Sequence, residues 1–310
     1  MKPAFKAVSA ILVLCLAVAA SAQTLDQGIA KFRAGEYVDA LRDLMPFAEQ
    51  GSATAQFLIG AIYAVGEGGV VRDSVAAASW LRRAAEQEHT RAQFNLGRMH
   101  EQGRGVEADY AEAARWYGRA ARLGDAEAQY RLGTMHELGL GVDLDYALAA
   151  NFYRSAAEQD LADAQASLGE MYIAGRGVGQ HHGDAAIWFR RAAEQGHAEA
   201  QFNLGVMYAG GLGVEPDTEQ SVYWYRQAAE QGNARAQFNL GVAYYNGDGV
   251  PRDPVLAHVW ANVAASNGHE DAAGVRYRIA EQLSPSDLVT AQRIGLQCLE
   301  QGYDFCVSQR

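Results

Sequence analysis

The chain has 310 residues and a formal net charge of −11, with 26 Lys and Arg against 37 Asp and Glu. That balance argues against nucleic acid or anionic membrane as a partner, because phosphate backbones are held by clustered cations. Hydrophobic residues make up 49% of the chain, enough to bury a core over about two ordinary domain lengths.

In chain order, the first element is a targeting signal. Lys2 and Lys6 give a basic start, Ala7 to Ala20 is apolar, and Ala20-Ser21-Ala22 fits the small-residue cleavage rule. The apolar run is too short for a membrane span, so residues 1–22 read as a signal peptide. Cys15 follows Leu14 rather than a small residue, which argues against a lipid anchor. Cleavage removes two lysines and no acid, taking the charge from −11 to −13 and leaving Lys31 as the only lysine. No later stretch is long and apolar enough to cross a bilayer. The mature chain is therefore expected to be exported, in the periplasm or secreted.

Residues 23–51 form a short opening unit, and from residue 52 the chain repeats itself. AQFNLG occurs at 92–97, 200–205 and 236–241. The glycine of the Leu-Gly pair (Ile-Gly in the first unit) falls at Gly60, Gly97, Gly133, Gly169, Gly205 and Gly241, spaced 37 and then 36 four times. The extra residue is Gly69, since that loop reads GEGGV where the others read G-x-G-V. Trp80, Trp116, Trp188, Trp224 and Trp260 share one register, with Phe152 in the remaining slot. Six units follow, over 52–88, 89–124, 125–160, 161–196, 197–232 and 233–268.

Each unit reads as two helices. Ala200, Leu204, Met207 and Tyr208 recur at three- and four-residue steps, marking one buried stripe. The G-x-G-V loop ends that helix, and Asp73, Asp109, Asp145, Asp217 or Asp253 stands ready to cap the next. The second helix carries the tryptophan and an Ala-Ala pair and closes on Gly124, Gly196, Gly232 or Gly268. Glu88 and Asp160 replace that glycine at a modest conformational cost. No strand pattern is present, so the fold class is all-α.

Residues 269–310 give a partial unit, a capping helix opened by Ser284-Pro285-Ser286-Asp287, and a tail. Cys298 and Cys306 lie eight residues apart around Gly302, and in an oxidising compartment they are expected to form a disulfide rather than remain free thiols.

The unit A-x-A-Q-F-N-L-G-x-x-Y-x-x-G-x-G-V-x-x-D followed by W-x-x-x-A-A-E-Q-G resembles the Sel1-like repeat, a branch of the tetratricopeptide-like superfamily. Residues 23–51, with Gly35-Glu36-Tyr37 and Ala40, look like a plain tetratricopeptide unit that caps the start. The resemblance implies a right-handed α-solenoid of helix-turn-helix repeats that binds a protein or peptide segment along the first helices of its units. It also implies a scaffold or adaptor in the periplasm, alternatively a regulator restraining a membrane sensor kinase. A cell-wall hydrolase is the remaining alternative from another class.

Chemistry-bearing motifs are thin, so no catalytic, cofactor-binding or metal-binding residue is assigned. The glycine loops join helix to helix and none reads GKS or GKT, against a phosphate-binding loop. No G-x-S-x-G occurs, and no Ser stands three residues before Lys31. His100 and His136 fill the slot of Tyr63, Tyr172, Tyr208 and Tyr244, which is a packing position, and neither has the second histidine of HExxH. His181-His182 replaces a cap Asp and its neighbour in a loop, where a surface role is expected. Gln56, Gln93, Gln129, Gln165, Gln201 and Gln237 recur in every unit, which marks a structural hydrogen bond.

By that same resemblance, the outward first-helix positions form the partner-binding groove. They supply Phe94, Asn95, Arg98 and Glu101, then Tyr130 and Glu137, then Glu170. Phe202 and Asn203 follow, with Phe238, Asn239 and Tyr245 in the last unit. Ala166-Ser167 replaces Phe-Asn in the fourth unit and is expected to leave a notch. Glutamates in units two to four against apolar residues in five and six suit a segment with basic and hydrophobic side chains.

Overall fold

The computed structural model describes residues 25–307, so the signal-peptide reading of 1–22 lies outside the described residues. Helix α1 covers 25–33 and pairs with α2 (Tyr37–Glu49). The first helices of the six units are α3 (Ala53–Val65), α5 (Thr90–Gln102), α7 (Ala126–Leu138), α9 (Ala162–Ala174), α11 (Ala198–Gly210) and α13 (Ala234–Asn246). Their second helices are α4 (Ser74–Glu86), α6 (Tyr110–Arg122), α8 (Tyr146–Ala157), α10 (His182–Glu194), α12 (Thr218–Glu230) and α14 (Pro254–Ser266). The chain finishes with α15 (Ala272–Ala280), α16 (Pro285–Gln301) and α17 (Tyr303–Val307), and no strand occurs among the described residues. Contacts divide the chain into two compact units, one ending at Asp145 and one starting at Tyr146, so α1–α7 and α8–α17 are taken separately below.

The helix boundaries follow from the repeat chemistry. Each first helix ends on a left-handed glycine, as at Gly211 (φ 65°), whose N–H bonds the Met207 carbonyl. The second loop glycine serves a different end. A Cβ on Gly213 would meet the backbone at His182–Gly183 at 2.3–2.5 Å, so the loop of one unit rests directly on the start of α10. Asp73, Asp109, Asp217 and Asp253 accept N–H bonds from the first turns of α4, α6, α12 and α14, each stabilising by about 1 kcal/mol. Glu88 and Asp160 do occupy the left-handed region, both at φ 62°.

Between successive helices the glutamines act as brackets. Gln93 Nε2 donates to the Ala85 carbonyl at 3.0 Å, and Gln56, Gln129, Gln165, Gln201 and Gln237 make the same bond to the carbonyl eight residues back. Each bracket adds a second bond to a carbonyl in the last turn of the preceding helix, which also accepts the backbone N–H three residues on, as Ala85 does from Glu88. A second amide often completes it: Gln195 donates to Gln165 Oε1 and Gln231 to Gln201 Oε1, both at 2.8 Å. Leu123 stands where unit two needs that amide, and Gln93 Oε1 is buried with no partner.

The core is carried less by the tryptophans than their shared register suggests. Trp116, Trp224 and Trp260 are buried, but Trp80 and Trp188 are half-buried under Arg83 and Arg191, whose guanidinium groups lie 4.6 and 4.8 Å from the rings. The residue after the tryptophan slot is the deeper one. Leu81, Tyr117, Tyr153 and Phe189 there are at most 1% exposed. Leu81, Tyr117 and Phe189 press on Gly60, Gly97 and Gly169 of their own units' first helices. A Cβ on Gly205 would come within 2.7 Å of the Tyr225 ring, which is why that position repeats as glycine.

At the C-terminus Cys298 and Cys306 are bonded and both buried. The bond holds α17 against the end of the helical stack, where the Tyr303 hydroxyl and the Asn267 amide bond each other at 2.8 and 3.0 Å.

Candidate functional site

The first-helix positions divide once their side chains are placed. In the unit ending at Asp145, Arg98 is exposed and donates to Asn95 Oδ1 at 3.3 Å. Phe94 does not face outward. It is 7% exposed and packs on the Tyr117 ring at 5.6 Å. Glu101 is not a free groove acid either, since its carboxylate accepts the Tyr117 hydroxyl at 2.5 Å. Burial first, and then the Glu101 bond, push the Tyr117 phenol far above its usual range, so it stays a neutral donor. Tyr130 and Glu137 are half-buried, and the Thr134 hydroxyl bonds the Tyr130 carbonyl.

In the unit from Tyr146, Phe202 is likewise buried, at 8% exposure, on the Tyr225 ring 6.0 Å away. The Arg235 guanidinium lies over the Phe202 ring at 4.4 Å and pairs with Glu199. The outward expectation for Phe94 and Phe202 is thus corrected: each first-helix phenylalanine turns onto the aromatic residue of its own unit's second helix. Ala166 is buried too, as the smaller residue at that position. Phe238 remains half-buried and stacks on His269 at 4.2 Å. Asn203 and Asn239 are half-buried, Glu170 is exposed, and the Tyr245 hydroxyl donates to Gln282 at 2.9 Å.

Two cavities open between the first helices of this second unit. One, of about 350 Å³, lies between α9 and α11 over Ile173, Phe189, Val206 and Met207, with the Asn203 amide at its side. The other, of about 430 Å³, lies between α11 and α13 over Ala209, Tyr225, Val242 and Ala243, with Asn239 and Asp248. The sequence signalled a notch at Ala166-Ser167, but the cavities sit nearer the C-terminal ends of the first helices.

The histidines have structural posts. His100 is buried with Nε2 3.5 Å from Arg82, and the His136 ring meets the Asp143 carbonyl at 3.1 Å. His181 Nδ1 caps α10 by accepting the Asp184 N–H at 3.0 Å. His89 and His197 cap α5 and α11 in the same way, a role sequence reasoning missed although Asp125 and Asn233 hold that register in sister units. Burial pushes His89 and His258 below the ordinary histidine range. Also missed was an arginine two residues after the tryptophan slot. Arg154, Arg190 and Arg226 reach the tyrosine hydroxyl eighteen residues on, at 3.3, 2.6 and 3.2 Å. Among the described residues no group of three or more His, Cys, Asp or Glu side chains is placed to hold a metal ion, and no helix is long and apolar enough to cross a membrane.

Comparison with known proteins bears on this arrangement. The Sel1 repeat model matches six segments, 53–89, 90–125, 126–161, 162–197, 198–233 and 234–269. Among solved structures, a protective antigen of uropathogenic Escherichia coli strains with an SLR fold is 38% identical, with a TM-score of 0.75 over 82% of this chain and 55% of that one. A Sel1 repeat protein from Oxalobacter formigenes is 34% identical, with a TM-score of 0.68 over 78% of this chain and 96% of that one. A component of an endoplasmic-reticulum-associated E3 ubiquitin-protein ligase from Arabidopsis thaliana, HRD3A, is 45% identical over 62 residues. That stretch is 20% of this chain and only 9% of the plant protein, and the chain spans about half the length of the antigen. With six matched repeats, an all-α helical-repeat fold and these neighbours, the chain belongs to the Sel1 repeat family, whose architecture is that of scaffolds for protein partners.

Proposed function

We propose that the protein is an exported scaffold, working in the periplasm, that captures a protein or peptide segment along the outward positions of its first helices. The observation that carries this reading is the pair of cavities between α9, α11 and α13, where half-buried apolar side chains and amides meet open space instead of a neighbouring helix. Second helices show scattered exposed side chains such as Ile187 and Tyr223, and the smaller recess of about 180 Å³ between α4 and α6 is lined by the charged Glu86, Glu88, Arg119 and Arg122. Export rests on the basic start, apolar run and cleavage pattern of residues 1–22.

Photo-crosslinking in living cells tests both parts. A crosslinker at Glu170 or Tyr245 is expected to trap one discrete partner band, and one at Ile187 or Tyr223 none. Equal trapping from both helix sets overturns the groove. Osmotic shock should release a chain whose mass begins at Gln23, and a product retaining residues 1–22 in the cytoplasm overturns export.

A further inference from the structure

The repeats are near-copies, so a junction where several copied positions change together stands out. Four second helices run out on Glu-Gln, at Glu86-Gln87, Glu158-Gln159, Glu194-Gln195 and Glu230-Gln231. The end of α6 reads Arg122-Leu123 instead. Glu88, one repeat before Gly124, fills a place that is glycine at Gly124, Gly196, Gly232 and Gly268. These three exceptions, Glu88, Arg122 and Leu123, line one recess of about 180 Å³ at the ends of α4 and α6, together with Glu86, Arg119 and the bracket residue Gln93.

The buried member of that lining is an acceptor without a donor. Gln93 is 2% exposed, its Nε2 donates to the Ala85 carbonyl, and its Oε1 has no partner. The sister oxygens of Gln56, Gln165, Gln201 and Gln237 each receive an amide N–H at 2.7–2.8 Å. Those distances fix where a donor belongs. The rest of the lining carries both signs of charge: Glu86 and Glu88 at the end of α4, Arg119 and Arg122 in the last turn of α6. Among the described residues no ion pair joins the two sides, and Arg119 lies over the Trp116 ring at 4.5 Å. A small recess of two signs, with an unsatisfied acceptor buried in it, matches a molecule with a cationic donor at one end and an anion at the other.

We infer that this recess binds a free α-amino acid as its zwitterion. The ammonium donates to Gln93 Oε1 and to a carboxylate of Glu86 or Glu88, and the α-carboxylate accepts from Arg119 and Arg122. All but the bond to the amide oxygen pair opposite charges. The size limits the side chain: about 180 Å³ is roughly six times a water molecule's share of liquid volume, room for glycine, alanine or serine. Oε1 is closed to solvent in this structure, so the Leu123 side chain, 49% exposed, must swing aside as the ammonium arrives. An Asn or Gln side chain of a protein partner also carries an N–H. It is neutral, however, and would cover both pairs of charges without answering either. The site is built only from the unit ending at Asp145 and does not depend on the groove proposed above.

Isothermal titration calorimetry of the mature chain with glycine, L-alanine and L-serine tests it. N-acetyl-L-alanine and L-alaninamide are the probes that lack the ammonium and the carboxylate. One site per chain is expected, and each blocked probe should bind at least tenfold more weakly than alanine, the loss of a charge-assisted bond. Leu123→Gln places the sister amide on Gln93 Oε1 and should weaken alanine at least tenfold while raising the melting temperature. Leu123→Ala removes the side chain that has to move and should bind alanine at least as tightly. Arg122→Glu installs the residue of the sister units and should weaken alanine at least tenfold at unchanged helicity.

No heat from any of the three amino acids up to about 10 mM overturns the assignment. So does alanine binding that Leu123→Gln and Arg122→Glu leave unchanged. Tighter binding of N-acetyl-L-glutamine methylamide than of alanine also overturns it and gives the recess to a partner's amide side chain. Crosslinking from Glu170 or Tyr245 should trap the same partner band in Leu123→Gln, so failure of the amino-acid site and failure of the groove are read separately.

Discussion

Replacing Leu123 by Gln should stabilise the protein. In four sister brackets an amide thirty or thirty-one residues after the bracket glutamine donates to its Oε1, at 2.7–2.8 Å. Position 123 is where unit two would supply that donor, and Gln93 Oε1 is instead buried with no partner. An unsatisfied buried acceptor costs roughly 1–3 kcal/mol. Fixing a glutamine side chain takes back about 1 kcal/mol in lost rotamers. Leu123 is 49% exposed, and the glutamine methylenes cover much of the same surface, so lost burial adds little. The net gain is about 1 kcal/mol, which for a folding unit of this size raises Tm by about 2–4 °C. Thermal and urea melts followed by far-UV circular dichroism measure it, with hydrogen exchange on α5 and α6 to localise the effect. The decisive control is the same substitution in a Gln93→Leu background, where the gain must vanish. A gain that survives there, or no gain at all, refutes the bracket argument.

Further outcomes follow from the other features. Glu88→Gly should stabilise by about 0.5–1 kcal/mol by relieving a left-handed backbone, and Asp160→Gly by less, because Asp160 Oδ1 is also within 3.4 Å of Gln165 Nε2; paired urea midpoints check the order. His89 and His258 are both pushed below the unfolded histidine value by burial, so the unfolded chain binds their protons first. Their contribution is complete above about pH 6.5 and is lost as pH falls below it; His89→Asn, which keeps an acceptor for the Ala92 N–H, should flatten urea midpoints between pH 7.5 and 5.5. Cys298→Ser with Cys306→Ser opens a loop of eight residues, and loop entropy sets its cost at about 2.5 kcal/mol; limited proteolysis should cut the variant first near α17, and an unchanged cleavage pattern would count against the tail being held by that bond.

The repeat made most of the fold legible. Residue identity at a fixed period marks a position whose surroundings also repeat, so the helix pairs, loop glycines, aspartate caps and glutamine brackets could be placed from spacing alone. Facing was harder to read. Phe94 and Phe202 stand on the outward side of a helical wheel, but an aromatic ring on a helix reaches across to its neighbour, and Tyr117 and Tyr225 were there to meet it. The tryptophans drew attention by rarity, while the residue after them varies between Leu, Tyr, Phe and Ala and so hid its deeper burial. The histidine caps escaped because histidine rarely serves as an acceptor there.

Every bracket described above reaches no further than the adjoining repeat: eight residues back from each glutamine, eighteen forward from each arginine, about thirty from each amide. Excising residues 198–233 would set Gln237 eight places after Ala193 in the rejoined chain, where the Gln201 bracket now forms. A gene for such a protein can thus lengthen or shorten by thirty-six codons without breaking any of these bonds. A single-codon slip is absorbed only where Gly69 absorbed one, in the loop. Number of repeats is a heritable variable that selection can adjust in whole steps, each adding or removing one repeat and one interface.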